Sequence, residues 1–175
     1  MTIVYHGGNR FNKLHGYKAS NKKGRVQFGI GLYTTTAYEW ANLYGRKVYA
    51  FDIELDKDSA SQNVLIPLKH IAEFIRCTCS KQFYKDFVNN VTANEISANR
   101  LVNYFSLYHK RPHTIAQELN DFIVAWGAKF TIENGKYDGA LIRIHDFSII
   151  KNEIDSTVHN YSTDQLDKNL FAGYH

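Results

Sequence analysis

The sequence predicts an α+β fold in one domain, with short strands near both ends of the chain and a helical segment inserted between them. A short apolar run opens the chain at residues 2–6, and apolar and polar residues alternate at 47–55 (KVYAFDIEL). From residue 66 to about 130 the apolar period lengthens to that of a helix. Short β-rich runs then return at 137–144 (YDGALIRI) and 147–151 (FSIIK).

Taken in order, residues 2–6 read as an apolar strand and 11–23 as a polar loop or short helix. Residues 25–33 read as a second strand and 36–44 as a helix. The threonine run Thr34, Thr35 and Thr36 supplies candidate N-caps for that helix. In the strand at 47–55, Val48, Ala50 and Asp52 share one face, and Tyr49, Phe51, Ile53 and Leu55 the other. The insertion reads as three or four helices with apolar stripes. One joins Leu68, Ile71, Phe74 and Ile75, a second Phe83, Phe87 and Val91. A third joins Ile96, Leu101, Tyr104, Phe105 and Tyr108, and a last one runs from Ile115 through Leu119 and Ile123 to Trp126. Such stripes are expected to be core. The turn Tyr108-His109-Lys110-Arg111-Pro112-His113 is basic and aromatic, a solvated connection or a grip on a macromolecular target. The expected organisation is one domain over 1–175, with the helical insertion at about 66–130 and an acidic tail at about 152–175.

The 175 residues are enough for a core without staples, and 44% hydrophobic content with 22% charged is globular. No apolar run approaches a membrane span and the chain enters a strand directly from Met1, so the expected location is cytoplasmic. The net charge of +4 is uneven: residues 1–50 sum to +7 and the remainder to −3. A basic first lobe suits a pyrophosphate-bearing ligand or a nucleic acid. Cys77 and Cys79 lack a second pair at ligand spacing, so two reduced thiols are expected and no metal site.

Two glycine-bearing motifs carry the chemistry. Phe28-Gly29-Ile30-Gly31-Leu32-Tyr33-Thr34 joins a strand, a glycine hinge and a helix start, and Val4-Tyr5-His6-Gly7-Gly8 ends the first strand. Thr34 falls where the dinucleotide fingerprint needs a third glycine, which excludes a Rossmann phosphate loop. With Ala41-Asn42-Leu43-Tyr44 eight to eleven residues past Tyr33, the pair resembles ADP-ribosyltransferases of the His-Tyr-acidic branch, shared by diphtheria-type toxins and poly(ADP-ribose) polymerases. The resemblance covers residues 3–55, and more loosely 130–151.

The resemblance implies a split β-sheet core and NAD⁺ as substrate. It implies catalytic roles for His6, Tyr33 and Asp146, and dinucleotide contacts from His6, Gly7, Gly31, Tyr33, Thr34 and Tyr44. His6 would bond the adenosine ribose, Gly7 the nicotinamide amide through its backbone, and Tyr33 and Tyr44 would sandwich the nicotinamide ring. Ala41 stands where the family often has Ser, so Thr34 or Thr35 is the expected replacement for that amide contact. Loss of nicotinamide passes through an oxocarbenium-like state, which needs negative charge nearby. Asp146 in the run DFSII is the expected carboxylate, with Asp138 its rival and Glu133 behind that. The implied activity is mono-ADP-ribosylation of a macromolecular acceptor, RNA or DNA ahead of protein, by a toxin–antitoxin or phage-defence type toxin with an antitoxin as partner. The alternatives are an NAD⁺ glycohydrolase, an enzyme like tRNA 2′-phosphotransferase, or a non-catalytic binding module of the same fold.

Overall fold

The computed structural model describes residues 1–8, 30–44, 47–134 and 139–154. Its centre is an antiparallel sheet of six strands: β1 (Thr2–Gly8), β2 (Leu32–Thr35), β3 (Lys47–Ile53), β6 (Phe130–Asn134), β7 (Ala140–Ile144) and β8 (Ile150–Ile154). Their spatial order is β6-β7-β2-β1-β3-β8. Helix α1 (Tyr38–Leu43) links β2 to β3. The insertion holds α2 (Leu68–Thr78), α3 (Lys81–Asn90), α4 (Ala98–Tyr108) and α5 (Ala116–Ala125), with a small hairpin of β4 (Leu65–Pro67) and β5 (Glu95–Ser97). The α+β class and the four-helix insertion therefore match the reading of the sequence.

Alternation along the strands divides the residues between two faces. Register joins Tyr5 to Ala50 and to Thr35, and Tyr33 to Arg143 and through it to Thr131. These share the first face, where Tyr5, Val48 and Ala50 bury Ala41 of α1. On the second face Val4, Leu32, Phe51, Ile142, Ile144 and Phe130 form an apolar layer. The insertion has its own core, in which Phe74 and Phe83 each meet the Phe105 ring and Phe87 meets that of Tyr104. Ser80 and Ser97 cap α3 and α4, each accepting the N–H three residues on.

Several boundaries differ from expectation, each for a local reason. The second strand is shorter than residues 25–33 at its described end and runs on to Thr35; residues 9–29 lie outside the described residues. Ala37, not a threonine, is the N-cap of α1, and no side chain caps that helix. The hydroxyls are used elsewhere: Thr34 donates to the Ile142 carbonyl, Thr35 accepts from the Ala37 N–H, and Thr36 accepts from the Ala140 N–H. Residues 147–149 form a 3₁₀ turn rather than a strand, because Asp146 caps it by accepting the Ser148 N–H, and β8 starts only at Ile150. Tyr108, placed in a core stripe by periodicity, is exposed at the end of α4. The tail beyond residue 154 lies outside the described residues. No helix among the described residues is long and apolar enough to cross a membrane.

Candidate functional site

The centre of the sheet has a seam. Between β1 and β2 the ladder holds one register pair, Tyr5↔Thr35, whereas β1 and β3 share seven and β2 and β7 four. Beyond Tyr5 the two strands carry His6-Gly7-Gly8 on one bank and Leu32-Tyr33 on the other. The imidazole of His6 closes the gap: its Nδ1–H donates to the Tyr33 carbonyl oxygen at 2.7 Å. That bond fixes the tautomer and leaves the acceptor lone pair of the neutral ring on Nε2. Tyr49, opposite His6 in register, stacks on it with ring centroids 6.4 Å apart. Burial lowers the His6 pKa, with the Tyr33 carbonyl pulling weakly the other way, so the ring is neutral at pH 7.

Gly7 is required by close approach. A Cβ there would lie 1.8 Å from the Ala41 carbonyl oxygen and 3.2 Å from the Tyr44 Cβ. Helix α1 thus sits directly on the His6-Gly7 backbone and carries Tyr44 to it. Tyr44 is 73% exposed, with its Cβ beside Gly7. Continuing the register past Tyr5 sets Gly7 opposite Tyr33, with both on the face that α1 covers. Tyr33 is half-buried. His6, Gly7 and Tyr33 therefore lie together at one seam, with the start of the Tyr44 side chain beside Gly7 on the face opposite the imidazole.

The remaining sequence-expected residues have other surroundings. Gly31 adopts φ +119 and runs against the Arg143 Cβ and His145 ring, a packing position that a Cβ would crowd at 3.1 Å. Thr34 is 2% exposed with its hydroxyl held by the Ile142 carbonyl, and Thr35 is tied to Ala37, so neither is placed to replace a serine on α1. Asp146 follows the end of β7. Its two carboxylate oxygens accept from the Ser148 N–H and hydroxyl, and its own N–H donates to Lys129 on the β6 side. Asp138 lies outside the described residues. Its neighbour Gly139 is described, with φ +70 and a Cβ position 2.6 Å from the Thr36 hydroxyl, at the end of β2 that leads into α1.

Sequence reasoning missed a buried polar belt beside the seam. Arg143, fully buried and opposite Tyr33, forms an ion pair with Glu133 and donates to Asn99 of α4 at 3.5 Å. Next to it His145 bridges Thr131 (2.8 Å) and Asn120 of α5 (3.1 Å), and Thr131 meets the Ser61 hydroxyl. Burial, with the Arg143 charge second, pushes the His145 pKa down to about 3. The belt ties the helical insertion to the strand that backs Tyr33. Only the polar residues inside otherwise apolar strands hinted at it. Cys77 and Cys79 are free thiols, and no group among the described residues could hold a metal ion.

No protein-family model matches the chain, and neither a curated protein nor a solved structure matches it.

Proposed function

We propose that the chain is an NAD⁺-dependent mono-ADP-ribosyltransferase acting on a macromolecular acceptor. One observation carries this reading: the β1–β2 seam, with His6 and Gly7 on one bank, Tyr33 on the other and the Tyr44 Cβ beside Gly7. The resemblance of the glycine motifs to ADP-ribosyltransferases supports it independently. A neutral His6 with its lone pair on Nε2 suits acceptance of a ribose hydroxyl proton. Gly7, whose side-chain space is taken by the Ala41 carbonyl, has only its strand backbone to offer a planar amide, and the two phenols suit a flat cationic ring. The reaction breaks the bond between nicotinamide and the ribose carbon. An acceptor oxygen or nitrogen takes the ADP-ribosyl group and gives up a proton, and neutral nicotinamide leaves.

The carboxylate this chemistry needs is assigned to Asp138. Both oxygens of Asp146 accept hydrogen bonds within its own turn, and Glu133 is held by Arg143. The test is incubation with labelled NAD⁺ and separate pools of RNA, DNA and protein. Label on one pool is the expected result and names the acceptor. Free ADP-ribose alone would make the protein a glycohydrolase, and intact NAD⁺ in every pool would favour a binding module of this fold. Toxin activity and a cognate antitoxin are the biological setting that such an enzyme would fit.

A further inference from the structure

The exposed flank of α4 and the turn that follows it share a composition that the site at the seam does not use. Residues 98–115 contain Arg100, Lys110 and Arg111, two histidines and no acidic residue. Tyr104 and Tyr108, one turn apart on α4, pack with centroids 4.7 Å apart. Tyr108 is 64% exposed and Leu107 75%, an unusual display for large apolar groups at a helix end. Arg100, Tyr104 and Tyr108 follow one another at four-residue spacing, so they line one flank of the helix. Lys110 and Arg111 extend that flank into the turn, and both are exposed.

We propose that this flank is a binding surface for single-stranded nucleic acid, which stacks a base on Tyr108 and sets its phosphates against Arg100, Lys110 and Arg111. The charge argues for that occupant over an apolar partner: three cations, with no carboxylate in their own segment and Asp86 of α3 the acid near Tyr104, repel a basic protein and attract a phosphodiester backbone. Exposed aromatic rings interleaved with cations are what sequence-tolerant binding of an unpaired strand requires. The position also fits the proposed transfer reaction, on which this inference rests for its purpose but not for its evidence. Asn99, at the start of α4, contacts Arg143 behind Tyr33. The helix carries the surface about 15 Å from Asn99. Helix α4 therefore joins this surface to the buried polar belt beside Tyr33.

The test is fluorescence anisotropy with a labelled oligouridylate of about a dozen nucleotides, at about 50 and 200 mM salt. The wild type is expected to bind, with affinity falling as salt rises. Lys110→Glu/Arg111→Glu should weaken binding at least about tenfold and flatten the salt dependence. Tyr108→Ala should weaken it about fivefold or more with a nearly unchanged salt slope, as loss of stacking does. All these side chains are exposed, so melting temperatures should hold, and nicotinamide release in the absence of acceptor should stay at the wild-type rate. Binding that is absent at low salt, or equal in all variants, overturns the proposal. So does a dimer in sedimentation that Tyr108→Ala dissolves while the wild type ignores the oligomer. If the oligomer binds as expected but no nicotinamide is released, the transferase reading fails and this surface stands.

Discussion

His6 and Tyr33 are joined through a main-chain atom: the imidazole Nδ1–H donates to the Tyr33 carbonyl at the point where the β1–β2 ladder ends. The side chain thus does in the seam what a backbone N–H does elsewhere in the sheet. Replacing His6 by Ala removes that bond and the Nε2 acceptor together, and NAD⁺ turnover should fall about 100-fold or more. His6→Asn has a donor at similar reach and should keep the melting temperature closer to wild type while remaining poorly active. Tyr33→Phe should keep most NAD⁺ binding, and Tyr33→Ala should lose about tenfold or more. These are read by calorimetric titration and by nicotinamide release. Full activity in His6→Ala would remove the imidazole from the site.

Gly7→Ala drives a methyl group into the Ala41 carbonyl, main chain against main chain, so neither side has a rotamer with which to yield. The expected cost is ~1–3 kcal/mol in urea unfolding, with loss of turnover as α1 and Tyr44 are pushed off β1. At Gly8 the added methyl meets the His6 ring at 2.8 Å, a side chain that can shift, so Gly8→Ala should be milder in stability.

The three acidic candidates separate by what holds them. Asp146→Asn keeps an oxygen for the Ser148 N–H, and turnover should stay within about threefold of wild type. Asp138→Asn should lower transfer about 100-fold or more with NAD⁺ binding little changed. Glu133→Gln removes the charge facing a fully buried guanidinium, so its signature is unfolding at lower denaturant, a loss on the order of 2 kcal/mol after allowing for the partial exposure of the carboxylate. If Asp146→Asn is inactive yet stable, the carboxylate assignment reverses.

Stability should fall on the acid side of neutrality. His145 is held neutral in the fold, with its pKa at about 3, while in the unfolded chain it takes up a proton near 6.5. Below 6.5 the unfolded state binds more protons. The contribution is fully present above that pH and declines at ~1.4 kcal/mol per unit as pH drops toward 3. His6, lowered by burial as well, acts in the same direction. Urea midpoints measured between pH 7 and 4 should show this slope. His145→Gln should be less stable at pH 7 and have a shallower dependence. An unchanged slope in that variant would assign the trend to carboxylates.

Much of this arrangement was legible in the sequence, and the reasons differ by residue. His6, Gly7, Tyr33 and Tyr44 stood out because glycines beside a histidine and a tyrosine mark places where backbone must come close or turn. The faces of β3 followed from alternation alone. Arg143 did not stand out, since in ALIRI it reads as the polar member of a half-exposed strand; only tertiary packing of α4 over it and Glu133 beside it makes it buried. At Asp146 the local structure differs from the reading for a local reason: an acid before a β-rich run looks like a strand start, and the Ser two residues on makes it the cap of a 3₁₀ turn. Tyr108 fell on an apolar stripe, but the helix ends there and leaves it outside the core.

The order of strands has a consequence for synthesis. The strand bearing Tyr33 is sealed on one side by β7, which lies more than a hundred residues further along the chain. A nascent polypeptide therefore emerges with its glycine motifs early, yet it can raise no finished cleft until almost all the described residues have left the ribosome. A chain released before β7 would lack one wall of the seam.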